Sequence, residues 1–517
     1  MNHLLGIDIG TSGTKAVLIK PDGAVTATAT FEYPLSHPHP LWAEQDPEAW
    51  WEATVKSIRA VLEKAGISAD SDSIAAVGLT GQMHGLVMLD RSGKVLRPAI
   101  LWNDQRTAAQ CAAITERVGE KRLLELTGNP VLPGFTAPKI LWVRENEPEI
   151  YQRCDKILLP KDYIRYRLSG EFLGDVSDAS GTSLFDVARR QWSGDMLDAL
   201  ELPRARLPEI TESTAASAAV SADAARATGL REGTPIAAGG GDQAAGAVGT
   251  GMVAEGMVSV TLGTSGVVFA PSSSYRFSPE GNLHAFCHAV PGQWHLMGVM
   301  LSAAGSFRWF RDTLGREEMD AARSSGRDAY DLLTAGAGRV PAGCDGLLFL
   351  PYLSGERTPH PDPEARGVFF GLTLRHNKDH LTRAVLEGVT HGLRDSLDLM
   401  KTIGLRATRA RASGGGAKSA FWLRMLADMF GMEIVTVNGA EGAPYGAALL
   451  AGVAAGVYES VPHACETTLT VSPPVQPDPH AQRVYEDYHA RHAALYPALK
   501  KEFQAIARLE ETHRNNS

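Results

Sequence analysis

The sequence predicts an α/β protein made of two related halves. Predicted strands and helices follow one another in blocks, in the order strands, helices, strands, helices. The four residues GTSG occur at 10–13 and again at 263–266, each time directly after a hydrophobic strand. The chain has 517 residues, more than the roughly 250–300 residues at which a single hydrophobic core stops growing. These three observations favour a duplicated unit over one large domain.

The first half opens with strands and continues with helices. A helix is predicted over 47–66, because Pro47 suits the first turn of a helix and Gly66 suits its end. Residues 105–230 are predicted to be mainly helical. The runs that predict strands are LLGIDIG and TKAVLIK around the first GTSG, AVTATATFEY after the turn PDG, and the segments 74–81, 85–90 and 94–102.

The second half repeats this order of strands followed by helices. Strands are predicted over 234–242, 256–271 and 294–300, and helices dominate from about residue 379. The glycine run in SGGGAKS predicts a turn that leads into a helix from about Ala417. The apolar segment 446–458 is shorter than the ~20 residues of a membrane span, so we expect a buried helix of small residues there.

Composition argues against several classes of protein. The formal charge of −9 has no basic block within it, which disfavours nucleic acid as a partner because phosphate binding needs clustered Lys and Arg. The five cysteines have no close spacing, so a reducing cytoplasm is expected rather than a disulfide framework or a zinc site. The group HAFCH at 284–288 and His295 fit no zinc pattern and are expected to pack inside the protein. The N-terminus lacks the features of a signal peptide, and no membrane partner is expected.

The two GTSG turns and the SGGGAKS turn are candidate phosphate-binding sites. Glycine lets a backbone approach a ligand closely, and the free N–H groups of such turns attract anions. A tight hairpin without a ligand is the simpler interpretation of a single GTSG, but three such turns favour phosphate. They are not Walker A loops, because Ala417 precedes Lys418 and Thr14 separates Gly13 from Lys15. Lys15 could add a charge to the first turn or could be an ordinary surface lysine.

Two aspartates stand out beside these turns. Asp8 lies within a hydrophobic strand, where an acid is costly unless a cation or hydrogen-bond donor meets it, and Mg²⁺ on a nucleotide would do so. Asp242 follows three glycines in GGGDQAAG, at the expected start of a helix over 243–249. It could be a simple N-cap. The glycines could instead clear space for a substrate hydroxyl, and the two roles are compatible.

Polar side chains also follow two other predicted strands. The turn TGQMHG contains Gln82, Met83 and His84, and LWNDQR contains Asn103 and Asp104. Amides, acids and aromatic rings together suit a polyhydroxylated ligand, which needs directional hydrogen bonds and flat apolar faces. Either turn alone would be an ordinary loop.

Many of these motifs, taken in order, resemble those of the FGGY carbohydrate kinases, within the actin-like ATPase superfamily. The resemblance covers residues 4 to about 450. Two stretches fit diagnostic patterns of that family, GFTAPKILWVREN at 134–146 and RGVFFGLTLRHNKDHLTRAVLEG at 366–388. Further similar stretches are WAEQDP, GQMHG, LPKDYIRYRLSGEF, GGGDQAAGAVG, LGTSGV, FLPYLSGERTPH and SGGGAKS. One departure is Gln243, where similar kinases often have Asn.

The resemblance implies two ribonuclease-H-like domains of the actin-like ATPase type, separated by a deep cleft. The expected boundaries are 1–247 for a sugar-binding domain and 248–517 for a nucleotide-binding domain. ATP and Mg²⁺ are the implied cofactors, and a homodimer is the implied assembly. Within the family, GQMHG and WAEQDP favour D-xylulose as the substrate, phosphorylated on its 5-hydroxyl. The alternatives are a kinase for another pentulose or polyol, an actin-like or chaperone-like ATPase, and a sugar-binding protein without catalysis.

The resemblance also implies roles for individual residues. Asp242 is the expected catalytic base, and Asp8 is expected to help position Mg²⁺, with Asp242 taking part through water. The expected sugar-binding residues are Gln82, Met83, His84, Asn103, Asp104 and Asp242. The expected nucleotide-binding residues are Thr11, Ser12, Lys15, Gly263, Thr264, Gly415, Gly416 and Ser419.

Overall fold

A computed structural model describes residues 3–437 and 441–515 of the chain. Its N-terminal half begins with a block of strands, and the helices that follow are interrupted by further short strands. The elements are β1 (His3–Ile9), β2 (Gly13–Ile19), β3 (Val25–Glu32), β4 (Glu44–Gln45), α1 (Pro47–Lys64), β5 (Ile74–Gly81), β6 (Val87–Leu89), β7 (Ala99–Ile100), α2 (Ala108–Val118), α3 (Glu120–Thr127), α4 (Thr136–Asn146), α5 (Pro148–Arg153), β8 (Lys156–Leu158), α6 (Pro160–Ser169), β9 (Leu173–Asp175), α7 (Val176–Ala179), β10 (Phe185–Asp186), β11 (Gln191–Trp192), α8 (Gly194–Ala199), β12 (Glu209–Thr211), β13 (Ala216–Ala219), α9 (Ala222–Thr228), β14 (Pro235–Ala237), β15 (Gly240–Gly241) and α10 (Asp242–Gly249).

The C-terminal half repeats the block of strands and ends in a long helix. Its elements are β16 (Met257–Leu262), β17 (Gly266–Ser272), β18 (His284–Cys287), β19 (Trp294–Met300), α11 (Ala304–Leu314), α12 (Arg316–Ser325), α13 (Ala329–Ala337), β20 (Leu348–Leu350), β21 (Val368–Phe370), α14 (Lys378–Thr402), β22 (Arg409–Ser413), α15 (Ala420–Phe430), β23 (Glu433–Val435), α16 (Ala443–Ala454), α17 (Val461–Thr468) and α18 (Pro479–Asn515).

The main sheets of the two halves share one arrangement over five strands, β14-β5-β1-β2-β3 in the first and β23-β22-β16-β17-β19 in the second, while β13 and β18 extend opposite ends. In the first sheet the order is β13-β14-β5-β1-β2-β3, and in the second it is β18-β19-β17-β16-β22-β23. In each, the first hairpin is antiparallel, and its first strand also pairs in parallel with a later strand, β1 with β5 and β16 with β22. The predicted duplication is confirmed, and both GTSG turns connect the two strands of such a hairpin.

Each hairpin strand folds as its sequence pattern requires. In β16, residues 258, 260 and 262 are buried while residues 257, 259 and 261 are partly exposed, the period of two of a strand with one face on a core. β1 is buried on nearly every residue, because α1 and α16 cover its two faces. Asp8 is one of the partly exposed positions in that strand. The acid therefore opens towards solvent from an otherwise apolar element.

Helix α16 connects the two halves. Although it follows the second sheet in sequence, it packs on β1, β5 and α10 of the first half. Small residues allow this close approach, since a Cβ at Gly6 would lie 1.8 Å from Pro444 O and one at Gly446 would lie 1.8 Å from Ala245 O. The prediction of a buried helix of small residues is confirmed. No described helix is long and apolar enough to cross a membrane.

Residues 105–230 are mainly helical, as predicted, with the short strands β8 to β13 between the helices. Two predictions of local structure need correction. The helix after SGGGAKS begins at Ala420 rather than near Ala417, because the glycine run first forms a short 3₁₀ helix over Gly415–Lys418. Helix α10 begins at Asp242, and Gly241 is its N-cap. Asp242 is therefore the first residue of the helix and not its N-cap.

Candidate functional site

A cleft of about 600 Å³ lies between the two sheets. Asp8 and Asp242 line it from the first half, and Thr261 and Phe269 of the second hairpin line it from the other side. Gly414 and Lys418 of the SGGGAKS turn border the same space. The structure thus brings together both aspartates, the second hairpin and the third glycine turn, as the sequence predicts.

The tip of the first hairpin is fixed by side chains from other segments. Tyr33 donates its hydroxyl hydrogen to Gly10 O at 2.5 Å, and Gln45 Nε2 donates to Thr11 O at 2.7 Å. The Thr11 hydroxyl accepts from Trp102 Nε1 at 2.9 Å and lies 3.3 Å from Gln82 Oε1, to which it donates. The tip is therefore rigid before any ligand binds, which lowers the entropy cost of holding a phosphate there.

Gln82 has a different place from the one expected. It is buried, and its side-chain amide donates to Gln45 Oε1 at 3.1 Å and to Gly10 O at 3.4 Å. These bonds occupy the group that would otherwise bind a sugar. The geometry favours Gln82 as a support of the hairpin tip rather than as a sugar ligand.

Asp8 lines the cleft, and its carboxyl group has a raised pKa. Burial, then the nearby Asp242, raises the pKa of Asp8 to about 7, while Lys15 lowers it less strongly. The oxygen Oδ1 is buried and accepts no hydrogen bond from any described residue. A buried carboxylate oxygen without a donor is costly. Asp8 is therefore suited to meet a cation that comes from outside the protein.

Asp242 is the second carboxyl of the cleft. Burial raises its pKa to about 6, while hydrogen bonds from Gln243 lower it less strongly. Asp242 is nevertheless partly exposed to solvent. Protein surrounds the residue, but the cleft still reaches it. A carboxyl with a pKa near 6 is largely ionised at neutral pH yet basic enough to accept a proton.

The glycines before Asp242 allow their turn to pack closely against neighbouring segments, a role that the sequence alone does not show. A Cβ at Gly239 would lie 1.9 Å from Leu79 O, one at Gly240 3.0 Å from Ser177 Oγ, and one at Gly241 2.8 Å from Met83 Cγ. These glycines therefore let the turn approach its own neighbours. The space that they clear is filled by protein, not reserved for a substrate hydroxyl.

Met83 and His84 lie beside that turn. The His84 ring stacks on Phe135 with centroids 4.5 Å apart, and its Nδ1 lies 2.6 Å from Gly181 O. Because a carbonyl oxygen only accepts, Nδ1 carries the proton and Nε2 is left as an acceptor. Burial lowers the pKa of His84 to about 3, so the ring is neutral. A neutral ring with a free acceptor nitrogen can bind a hydroxyl group.

The two candidate residues of the Asn103–Asp104 turn differ in their exposure and in their hydrogen bonds. Asp104 is completely buried, and its oxygens accept from Ala43 N at 2.7 Å and from Arg106 Nη2 at 2.7 Å. That carboxylate is occupied and holds the loop together. Asn103 is partly exposed, and its buried Oδ1 accepts no hydrogen bond from the described part of the chain. Asn103 is the better candidate for contact with a ligand.

The second hairpin tip is fixed by backbone groups. Ala304 N donates to Gly263 O at 2.9 Å, and Ala303 N and Gly305 N donate to Thr264 O at 2.9 and 3.1 Å. The first turn of α11 thus holds the carbonyl groups of the GTSG tip. Thr264 itself is exposed.

The three candidate residues of the SGGGAKS turn also differ in whether they are occupied by contacts within the protein. Ser419 caps α15, because its Oγ accepts from Trp422 N at 3.3 Å. A Cβ at Gly416 would lie 2.8 Å from Leu262 Cβ, whereas one at Gly415 would meet no atom within 4 Å. Gly415 is therefore the open position, while Gly416 and Ser419 have structural partners.

Lys15 forms an ion pair across the chain. Its Nζ lies 2.5 Å from Glu441 Oε2, and both side chains are about one third exposed, at 34% and 32%. The predicted phosphate contact would need this pair to separate or to share the lysine. The pair also connects the first hairpin to the residues just before α16.

Comparison with known proteins identifies the family. The N-terminal domain of the FGGY family of carbohydrate kinases matches residues 3–249, and the C-terminal domain of that family matches residues 258–455. The chain belongs to the FGGY family of carbohydrate kinases. It is therefore an enzyme, and its fold is that of the actin-like ATPases.

Individual FGGY kinases are similar over most of the chain. The xylulose kinase of Escherichia coli K12 is 46% identical over 458 residues, covering 88% of this chain and 91% of that protein. The xylulose kinase of Bacillus subtilis is 38% identical over 466 residues, covering 90% and 91%. A crystal structure of xylulose kinase from Rhodospirillum rubrum superposes with a TM-score of 0.90 at 30% identity, covering 97% of this chain and 100% of that one.

Sequence reasoning did not predict how the site of this FGGY kinase is supported. Tyr33, Gln45 and Trp102 hold the first hairpin, but each comes from a separate segment and only the fold brings them to the tip. Ser177 lies beside the Asp242 turn. No local pattern marks these residues, because their partners lie in other segments of the chain.

Proposed function

We propose that this FGGY kinase transfers the γ-phosphoryl group of ATP to the 5-hydroxyl of D-xylulose, giving D-xylulose 5-phosphate and ADP. The observation that carries the proposal is the position of Asp242, a basic carboxyl beside the Met83–His84 turn and open to the cleft. The similarity to xylulose kinases over most of the chain supports D-xylulose over the other sugars of the family.

The sugar would lie between Asp242, Met83 and His84, with Asn103 as a further donor and acceptor. His84 Nε2 would accept a hydrogen bond from a sugar hydroxyl, because Nδ1 already donates to Gly181 O. Met83 is buried and packs against Gly241, so it would offer an apolar surface to the carbon chain. Gln82 and Asp104 would act indirectly, through the segments that they hold.

ATP would extend from the hairpin tips along the second half. Thr11, Ser12 and Lys15 would face the transferred phosphoryl group from the first half. Gly263 and Thr264 would offer backbone N–H groups to the phosphates, since the carbonyl groups of that tip are already bonded to α11. Gly415, Gly416 and Ser419 would border the adenosine, with the open Gly415 closest to it.

In the transfer, Asp242 accepts the proton of the 5-hydroxyl as its oxygen attacks the γ-phosphorus. The bond between the γ-phosphorus and the bridging oxygen breaks, and ADP leaves with that electron pair. Positioning of the two reactants can supply about 7–11 kcal/mol, and a general base contributes ~10²–10⁴-fold. A closed cleft keeps water from taking the place of the sugar.

The residues at the cleft fit Mg²⁺. The buried Asp8 Oδ1 has no donor among the described residues, and carboxylate oxygens are the ligands that Mg²⁺ prefers. The described residues contain no group of three or more candidate metal-binding side chains, which suits an ion held by one or two carboxylates, phosphates and waters. Asp8 would hold the ion, with Asp242 acting through water, and the ion would neutralise charge on the phosphates.

We propose the cytoplasm as the place of this reaction, since the five cysteines are free and buried. A homodimer is the assembly that the family resemblance implies, and light scattering would measure it.

The experiment is an ADP-release assay with purified protein, Mg²⁺ and ATP. The acceptors are D-xylulose, D-ribulose, xylitol, glycerol, gluconate and no sugar. Strong stimulation by D-xylulose, with D-xylulose 5-phosphate identified by mass spectrometry and ³¹P NMR, supports the proposal. Preference for another acceptor would make the chain a kinase of that sugar. Slow turnover that no sugar changes would favour an ATPase that drives conformational change.

A further inference from the structure

The segment 175–183 lies at the junction of three parts of the molecule. Gly181 O accepts from His84 Nδ1 at 2.6 Å, on the sugar side of the cleft. Ser180 Oγ accepts from Cys287 N at 3.2 Å, on a strand of the second half. Ser177 Oγ accepts from Gly241 N at 3.1 Å, directly before Asp242. All residues of the segment are buried.

Ser177 is held by a buried carboxylate. Its hydroxyl donates to Asp175 Oδ2 at 2.6 Å, and its backbone N–H donates to the same oxygen at 2.8 Å. Because the hydroxyl hydrogen points to Asp175, a lone pair of Ser177 Oγ is free to accept from Gly241 N. The carboxylate therefore fixes both the position of the hydroxyl and the direction of its hydrogen bond.

Asp175 is fixed in its turn by Lys161. The ammonium group of Lys161 lies 3.1 Å from Asp175 Oδ1, 2.5 Å from Asp162 Oδ1 and 3.8 Å from Asp178 Oδ2. Lys161 is completely buried, as is Asp175. Burial without a partner would be very unfavourable for any of these charges, so the ion pairs hold one arrangement.

This chain of contacts ends at the backbone that carries the base. Asp242 is the first residue of α10 and directly follows Gly241, so the direction of its carboxyl depends on the backbone of Gly241 as well as on the hydrogen bonds from Gln243. We propose that Ser177, held by Asp175 and Lys161, is a positioning residue that fixes Asp242 for proton acceptance. Without Ser177 Oγ, the buried Gly241 N–H loses this acceptor, and we expect the turn to shift to replace it. A displacement of about 1 Å at a reacting group can cost ~100-fold in rate. The proposal rests on Asp242 acting as the base in the proposed function.

Ser177→Ala tests the proposal, with Ser213→Ala as the matched control. Ser213 is also completely buried, and its hydroxyl donates to the same Asp175 Oδ2 at 2.8 Å, but it makes no contact with Gly241 N. Each variant removes one buried hydroxyl from the same carboxylate. We expect Ser177→Ala to lower kcat about 10-fold to 100-fold with KM for the sugar within about 3-fold. Ser213→Ala is expected to keep kcat within about 3-fold of wild type.

Three outcomes would overturn the positioning role. They are an unchanged kcat in Ser177→Ala, an equal loss of kcat in both variants, and a loss that appears only in KM. Circular dichroism and thermal unfolding of each variant check that it is folded. If Ser177→Ala does not fold, Ser177→Cys replaces it, because a thiol is a weaker acceptor: an intermediate kcat supports the proposal and a wild-type kcat contradicts it. Wild-type protein that phosphorylates no sugar would overturn the proposed function itself, which separates the two failures.

Discussion

The two GTSG hairpins have the same backbone arrangement but different supports. The tip of the first is held by side chains, those of Tyr33, Gln45 and Trp102. The tip of the second is held by the backbone N–H groups that begin α11. The first also has an acid, Asp8, at the position where the second has Thr261, whose hydroxyl lies 3.1 Å from the Ser413 hydroxyl.

This difference indicates that the halves share a fold but divide the chemistry. A tip that is held by backbone groups does not depend on the identity of the side chains around it. Such a tip suits the phosphates that nucleotides have in common. A tip that is held by side chains depends on particular residues, and it lies beside the aspartates that would carry out transfer. The duplicated fold therefore supplies the cleft, and in the proposed reaction the residues that break the symmetry carry out the transfer.

Loss of the base is expected to have the largest effect. Asp242→Asn keeps the shape of the side chain but removes the proton acceptor, so kcat falls at least about 100-fold. Sugar affinity, measured by calorimetry, is expected to stay within about 3-fold of wild type. A variant with near-normal turnover would show that Asp242 is not the base.

The acid side of the pH profile is expected to reflect both carboxyls of the cleft. Burial raises the pKa of Asp242 to about 6 and of Asp8 to about 7, and the proposed reaction needs both carboxyls in their charged forms. As the pH falls through this range, kcat/KM falls at least about tenfold per unit. In Asp8→Asn, only the fall of kcat/KM near about pH 6, which belongs to Asp242, is expected to remain. A wild-type profile that is flat down to pH 4 would contradict the assigned environments.

Removing a side-chain support of the first tip is expected to have a moderate effect. Gln82→Ala deletes bonds to Gln45 and Gly10, and the buried groups left without partners lower the free energy of unfolding by about 1–3 kcal/mol. We expect kcat to fall about 10-fold as the tip loosens. Ser413→Ala, which removes the bond to Thr261, is the control and is expected to change kcat less than about 2-fold. Equal effects would show that the two tips do not differ in this way.

The smallest expected effect is on stability. The pKa of Asp242 is higher in the folded protein, about 6 against an ordinary 3.8, so its ionisation destabilises the fold as the pH rises through that interval. Asp242→Asn removes a penalty of at most about 3 kcal/mol above pH 6. The melting temperature is therefore expected to rise by about 1–3 °C at pH 8 and by less at pH 5. A lower melting temperature at pH 8 would contradict this assignment.

The sequence predicts the duplicated fold well, because the strand patterns and both turns are local signals. Helix α1 over Pro47–Lys64 agrees with its prediction within two residues of its end. Asp8 and Asp242 were also found from local context, and the structure brings both to one cleft. The sequence could not show that Gln82 and Asp104 are fully occupied, because their partners lie in other segments. The positioning role of Ser177 depends on a contact 64 residues away in the chain, which no local pattern reveals.

The difference between the two hairpins is tested most directly by one paired measurement, the dependence of kcat on Mg²⁺ concentration in Asp8→Asn and in Thr261→Val. Asp8→Asn is expected to be slower than wild type at every Mg²⁺ concentration and to reach its half-maximal rate only at a higher Mg²⁺ concentration. The Thr261→Val curve is predicted to overlay that of wild type. Matching curves for the two variants, or a wild-type curve for Asp8→Asn, would contradict the claim that the acid of the first hairpin sets the chemistry of the cleft.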